Sequence, residues 1–345
     1  MNNTDTTHRK GIIGNPASNN FWLYDSKDGF DLTHPPTPTT PLASGTTTVK
    51  LQTTTLPITI SVQKSALVIV DMQNFFLSQS LGRPNDSKGM LAQKQLLDHA
   101  IPAARKAGIQ IIWLNWGLME TELTNMPPGT LRALGFESVP AEHFAQWAEL
   151  DASQRQGTID SHGVNEGCHT FPAQTVKTEV SRPTKDPRLY RGFGSDIGDV
   201  TLDDSTVVPA GRLLMRDTWN ADLTPELRDN YERQGLASTT KVPDVWIHKN
   251  RMSGLWGSST ACTEFLDNQG IRTLLFAGVN TDQCVGGSLQ DAFSKGYDAI
   301  LLTDGCGTTS PTSSQESIEF NSAKTWGFAT SCRDFAQGVD ASLAS

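Results

Sequence analysis

The sequence predicts an α/β fold, a doubly wound parallel sheet of about six strands with helices on both faces. Three observations carry that expectation. Short, continuously apolar runs, at 65–71 and again at 273–278, have the character of strands buried on both sides. They alternate with segments of helical periodicity that stop at glycine. Repeated βα units of this kind join parallel strands through right-handed crossovers, which places helices above and below the sheet.

Taken in order, residues 1–60 read as an N-terminal extended arm, rich in Thr, Pro, Asn and Gly, and 61–345 as the main domain. Within the arm, apolar runs at 21–24 and 30–32 flank Asp25-Ser26-Lys27-Asp28-Gly29, which predicts a hairpin, while 37–48 reads as a connector. The first core strand is 66–70, closed by Asp71. Leu96, Leu97, Ala100, Ile101 and Ala104 follow at helical spacing, with a kink expected at Pro102 and a stop at Gly108. The second strand is 109–114. From 117 to 243 the alternation lapses, and a structureless loop of that length is improbable. A helix around 141–150 and short elements at 212–215 and 225–231 are expected there. Because this insert leaves one strand end and re-enters at the next, it reads as a lid or pocket wall. The alternation then resumes with a strand at 245–248, a helix at 258–269 ended by Gly270, and a strand at 274–279. A helix with Val285, Leu289, Ala292 and Phe293 on one face precedes a strand at 299–303. A helix–strand pair within 314–331 and a terminal helix complete the chain.

The balance of charge narrows the partners. With 37 acidic against 28 basic side chains, a net −9, the surface repels phosphate backbones and anionic membranes, so neither nucleic acid nor membrane is expected as partner. No apolar run approaches the roughly 20 residues that cross a bilayer. The opening MNNTDTTHRK has no apolar stretch of a secretory signal. The cysteines, Cys168, Cys262, Cys284, Cys306 and Cys332, are odd in number and contain no CxxC pair. Reduced thiols in a cytoplasmic setting are therefore expected, rather than disulfides or a zinc site. Cys262, Cys306 and Cys332 read as inert helix, turn and strand residues.

In open parallel sheets, ligands bind beyond the carboxyl ends of the strands. Asp71, Asn115 with Trp116, Lys249 and Cys284 follow four successive strands. Singly, each has an ordinary explanation: a helix-capping Asp, a solvated Lys, a core Cys. Together they make a chemically coherent set. A helix N-terminus and a nearby ammonium both favour a thiolate, and a carboxylate can move protons between nucleophile and leaving group. Backbone N–H groups in the turn from Asn280 to Cys284 can bind an oxyanion.

The stretches SALVIVDMQNFFL (65–77), HKNRMSG (248–254) and GVNTDQCVGGSLQDAFSKGYD (278–298) closely resemble the isochorismatase-like cysteine hydrolase superfamily. The resemblance covers roughly residues 60–115 and 243–335. It implies that Asp71, Lys249 and Cys284 are an Asp–Lys–Cys triad, and that a non-proline cis peptide at Val279–Asn280 aims the N–H groups of Asn280, Thr281 and Cys284 at the oxyanion. Family members that hydrolyse the vinyl ether of isochorismate lack the cysteine, so Cys284 favours attack on a carbonyl. Nicotinamidases carry a metal-binding D-x-H…H group after the second strand; Leu114-Asn115-Trp116-Gly117 stands here instead, so no metal and no cofactor are expected.

IIWLNWG (111–117), Arg216-Asp217-Thr218-Trp219-Asn220 and KNRMSGLWGSS (249–259) most resemble the ureidoacrylate amidohydrolase branch, although the insert is longer than that branch usually carries. By position, Gln73, Asn115, Trp116 and Trp219 become candidate substrate-binding residues, and Arg251 a partner for a substrate carboxylate. The expected activity is hydrolysis of a C–N bond in a small amide, ureide or carbamoyl compound through a thioester. An enol-ether hydrolase and a catalytically idle metabolite- or partner-binding homologue are the alternatives. The resemblance also implies a homo-oligomer, dimer or tetramer. Two further patterns carry less. Gly192-Phe193-Gly194-Ser195-Asp196-Ile197-Gly198 lacks the preceding apolar strand of a dinucleotide fingerprint. His162, Cys168 and His169 form a small cluster better read as loop residues than as metal ligands.

Overall fold

In a computed structural model, residues 8–137, 139–149, 158–159, 192–236 and 241–344 are described. The expected cluster of His162, Cys168 and His169 lies outside these residues. Where the sequence reading expects an extended arm with one hairpin, the chain forms a five-stranded sheet. Its strands are β1 (Lys10–Asn15), β2 (Asn20–Asp25), β3 (Gly29–Leu32), β4 (Thr48–Leu51) and β5 (Ile58–Ser61), in the order β1-β2-β3-β5-β4. The hairpin is β2 with β3, registered Leu23 to Asp31 and Tyr24 to Phe30.

This small sheet is fastened to the main domain through the buried Asp298. The indole of Trp22 donates to Asp298 Oδ1 at 2.7 Å, while His34 Nε2 and the Thr273 hydroxyl both meet Oδ2 at 2.7 Å. Phe328 packs against the rings of Trp22 and Phe30 beside it.

The main sheet contains β6 (Ser65–Val70), β7 (Gln110–Trp116), β12 (Val245–Lys249), β13 (Thr273–Val279), β14 (Asp298–Gly307) and β15 (Gly327–Thr330). All its pairings are parallel, in the order β12-β7-β6-β13-β14-β15. Every residue of β6 and β13 is buried, which explains their unbroken apolar character. The order reverses direction between β6 and β13, creating the switch point where a ligand crevice opens at the carboxyl ends. Gly278 makes the close approach there possible. Its φ is +117°, and a Cβ would stand 2.0 Å from the Val70 carbonyl oxygen.

Pro102 acts one turn earlier than a simple kink. Helix Lys88–Gln95 widens into a π-type turn, Leu96–Ala100, before the helix Ile101–Ala107 resumes with Pro102 in its first turn; Ile101 donates to the Leu96 carbonyl five residues back. A proline in the first helical turn has no N–H that needs an acceptor, so the break falls ahead of it. Gly108 ends the helix in the left-handed region. Two other expectations need correction. Phe293 is 44% exposed, at the margin of the helix Gly286–Lys295 rather than in its buried face. Cys306 lies inside β14, and Cys332 opens the terminal helix Cys332–Ala344.

The described parts of the insert are built from short pieces. They include a 3₁₀ helix at Ala141–Glu149, the ribbons β8 (Phe136–Glu137) with β9 (Thr158–Ile159) and β10 (Asp199–Thr201) with β11 (Val207–Pro209), and a helix at Pro225–Asn230. The buried Asn220 organises the turn beside them. Its oxygen accepts from the Leu214 N–H, and its amide donates to the carbonyls of Ala210 and Arg212. The insert reaches the carboxyl ends of the core strands: the Leu118 N–H donates to the Leu214 carbonyl, and the Asn74 N–H to that of Asp222. Among the described residues no helix is long and apolar enough to cross a membrane.

Candidate active site

Asp71 leaves β6 with a positive φ of 52°, a conformation uncommon outside glycine, and is fully buried. The turn is held by its N–H on the Leu114 carbonyl and by the Gln73 N–H on its own carbonyl. One carboxylate oxygen, Oδ1, accepts from the backbone N–H of Trp116 at 3.0 Å. The other, Oδ2, lies 3.0 Å from the ammonium of Lys249 at the end of β12. That ammonium also donates to the carbonyls of Arg251 and Met252, each at 3.1 Å, and sits 3.8 Å from the ring centre of Trp116. A buried cation with a carboxylate, two carbonyls and an aromatic face around it is well compensated for the loss of water.

Cys284 is supplied from the far side of the switch point. The Val279–Asn280 peptide is cis, and a π-type turn, Thr281–Val285, leads into the helix Gly286–Lys295. The thiol is buried, at 7% exposure, and interacts with the Asp71 carboxylate. Burial pushes it up to about 12, opposed chiefly by the charge of Lys249. Burial likewise raises the Asp71 carboxyl above its ordinary range, with Lys249 again the main opposing influence. One positive charge is therefore shared by two acids. The neutral thiol beside a carboxylate is favoured, because a free thiolate would put two negative charges against one ammonium. The arrangement can pass the thiol proton to Asp71 as sulfur attacks, without creating net charge.

The remaining candidates divide. Gln73 has its amide taken up by backbone: Oε1 accepts from the Trp116 N–H, and Nε2 donates to the carbonyls of Trp116 and Ala221. It ties β7 to the insert. Asn115 is fully buried with neither side-chain polar atom partnered, and the strand alternation sends it to the face opposite Trp116. Trp219 is half-buried, with its carbonyl accepting from the amide of Asn74. Arg251 donates to the carbonyls of Asn250 and Asn125 and stacks 4.6 Å above Trp256. Among the described residues it has no carboxylate partner. Thr281 is buried with its hydroxyl unpartnered at the start of the turn to Cys284. Asn250 and Trp256, which border this loop, lie within the stretch 249–259, whereas Glu122 of the insert carries no motif that singles it out in the sequence. Among the described residues no group of three or more His, Cys, Asp or Glu is placed to hold a metal ion. Cys262, Cys284, Cys306 and Cys332 are free thiols.

Known proteins share part of this sequence. The Isochorismatase domain profile matches residues 204–330, a segment that contains Lys249 and Cys284 and begins after Asp71. The ureidoacrylate amidohydrolase RutB of Enterobacter sp. (strain 638) is 26% identical over 296 residues, covering 83% of this chain and 96% of the relative. That of Klebsiella variicola (strain At-22) is 25% identical over 287 residues, covering 82% and 89%. Among solved structures, an isochorismatase family protein from Desulfovibrio vulgaris aligns over 82% of this chain and 99% of its own, at 18% identity and a TM-score of 0.45. The profile match and these relatives, together with the motifs around Asp71, Lys249 and Cys284, make the chain similar to the isochorismatase-like hydrolases.

Proposed function

We propose that the protein is an amidohydrolase that cleaves a C–N bond of a small amide, ureide or carbamoyl compound, with Cys284 as nucleophile. The observation that carries this reading is the contact of Asp71 with both Lys249 and Cys284 at the switch point of the sheet. Its relatives named as ureidoacrylate amidohydrolases support the bond type.

In the reading proposed, Cys284 Sγ bonds to the substrate carbonyl carbon while its proton passes to Asp71. The Cys284 N–H, at the opening of its helix, binds the oxyanion; the N–H groups of Gln283 and Val285 are engaged by the Asn280 carbonyl. As the C–N bond breaks, Asp71 returns the proton to the leaving nitrogen, and a thioester remains on Cys284. Water then gives a proton to Asp71 and attacks the thioester. The S–C bond breaks, the acid departs, and the thiol recovers its proton. Lys249 offsets the negative charge on Asp71 and sulfur throughout. Trp116 forms one wall beside Lys249, and the guanidinium of Arg251, which has no carboxylate partner among the described residues, receives an acidic group on the substrate. The insert closes the crevice over these strand ends.

The test is a screen of primary amides, ureides and carbamates by ammonia release. Activity on one of these classes that vanishes in Cys284→Ala is expected; undiminished release by Cys284→Ala overturns the reading.

A further inference from the structure

Lys249 sits at the end of an edge strand, followed by the irregular segment 250–258, yet its ammonium is held at three oxygens. Two of these are the carbonyls of Arg251 and Met252, so the aim of the ammonium depends on where that segment lies. The segment is fastened from outside the strand. Glu122, in the short helix Glu120–Thr124 of the insert, accepts from the amide of Asn250 at 2.7 Å through Oε1. Its Oε2 accepts from the Met119 N–H at 2.7 Å, which closes the first turn of that helix. The Glu122 side chain is only 18% exposed, and Arg216 approaches it at 4.0 Å. On the other side of Asn250, its oxygen accepts from the indole of Trp256 at 3.0 Å, and Trp256 carries the guanidinium of Arg251 on its face. The Asn250 amide nitrogen thus joins the lysine segment to the insert, and its oxygen ties that segment to itself.

We propose that Glu122 and Asn250 are positioning residues, a clamp through which the insert sets the Lys249 ammonium against Asp71 and Cys284. The inference rests on the reading of Lys249 as part of the reacting centre. Release of the clamp lets the carbonyls of Arg251 and Met252 move, and with them the ammonium that opposes the burial of the thiol. The insert therefore acts on the nucleophile without touching it.

The test is the pH dependence of iodoacetamide alkylation at Cys284 in the intact protein, followed by peptide mass mapping. Glu122→Gln alone sets an amide donor against either the Asn250 amide or the Met119 N–H. Asn250→Asp alone sets two carboxylates together. Each is expected to move the alkylation midpoint upward and to slow alkylation near pH 9 by about tenfold, the order of effect of one charge-assisted hydrogen bond. The double variant Glu122→Gln/Asn250→Asp restores a donor–acceptor pair, and the glutamine oxygen still serves Met119. It is expected within about threefold of the parent. Singles that alkylate like the parent overturn the clamp, as does a double variant as slow as the product of the singles. Lys249→Met separates this failure from that of the catalytic reading. If Lys249→Met slows alkylation and the clamp variants do not, only the clamp falls; if Lys249→Met has no effect, the role of the lysine itself falls.

Discussion

Replacing Lys249 with methionine removes an ammonium while leaving an apolar stem against Trp116. Both side chains of the Lys249–Asp71 pair are 1% exposed or less, and their closest atoms are 3.0 Å apart. Removing one partner from such a buried pair leaves an uncompensated charge, a cost of about 3–5 kcal/mol. In a chain of 345 residues, an unfolding entropy of roughly 2.1 cal/mol/K per residue converts this into a Tm drop of about 4–7 °C. The drop is pH-dependent. Burial raises the folded-state pKa of Asp71, and Lys249 is the largest influence lowering it, so the variant carboxyl holds its proton to a higher pH than in the unfolded chain. Above that folded pKa the full penalty applies. As pH falls through it toward the unfolded value of about 3.9, the buried acid becomes neutral and the penalty fades. Thermal unfolding followed by tryptophan fluorescence across pH 5–9 reads the difference, and adding Asp71→Asn is expected to recover most of it. A loss that is the same at every pH, or no loss, refutes the description of Asp71 and Lys249 as a charged buried pair.

Two other perturbations separate the parts of the structure. Asp71→Asn removes a negative charge that adds to burial in raising the Cys284 thiol, so the alkylation midpoint is expected to fall; turnover falls by roughly 10²–10⁴-fold as the proton carrier is lost. Faster alkylation with turnover retained contradicts the proton role of Asp71. Asp298→Ala strands the donors of Trp22, His34 and Thr273 around an empty acceptor position, at about 1–3 kcal/mol for each group left unsatisfied. Limited proteolysis is expected to cut within residues 10–61 faster than in the parent; unchanged cleavage contradicts Asp298 as the fastening point.

The main sheet was legible because β6 and β13 are buried on both faces, and a strand so placed has no option but an apolar run. Asp71, Lys249 and Cys284 stood out for a related reason: each is a reactive residue immediately beyond such a run. The N-terminal sheet was partly legible. Its hairpin is written locally in 21–32, whereas its attachment to Asp298 joins residues 22, 34, 273 and 298, whose proximity no local pattern encodes. The insert resisted for the same reason. Its turns hang on individual side-chain bonds, local at Asn220 and long-range at Glu122, instead of on a repeating apolar face. Phe293 lay within the helical period but at its margin, where periodicity does not distinguish core from rim. The separation of Asn115 from Trp116 onto opposite faces follows from the two-residue period of a strand.

The most direct test of the account is to trap the covalent intermediate. Incubation with a slowly hydrolysed amide or carbamoyl substrate, acid quenching and peptide mass mapping is expected to find the acyl group on the peptide containing Cys284, and none in Cys284→Ser or in Asp71→Asn. An acyl group on another residue, or turnover retained in Cys284→Ala, contradicts it.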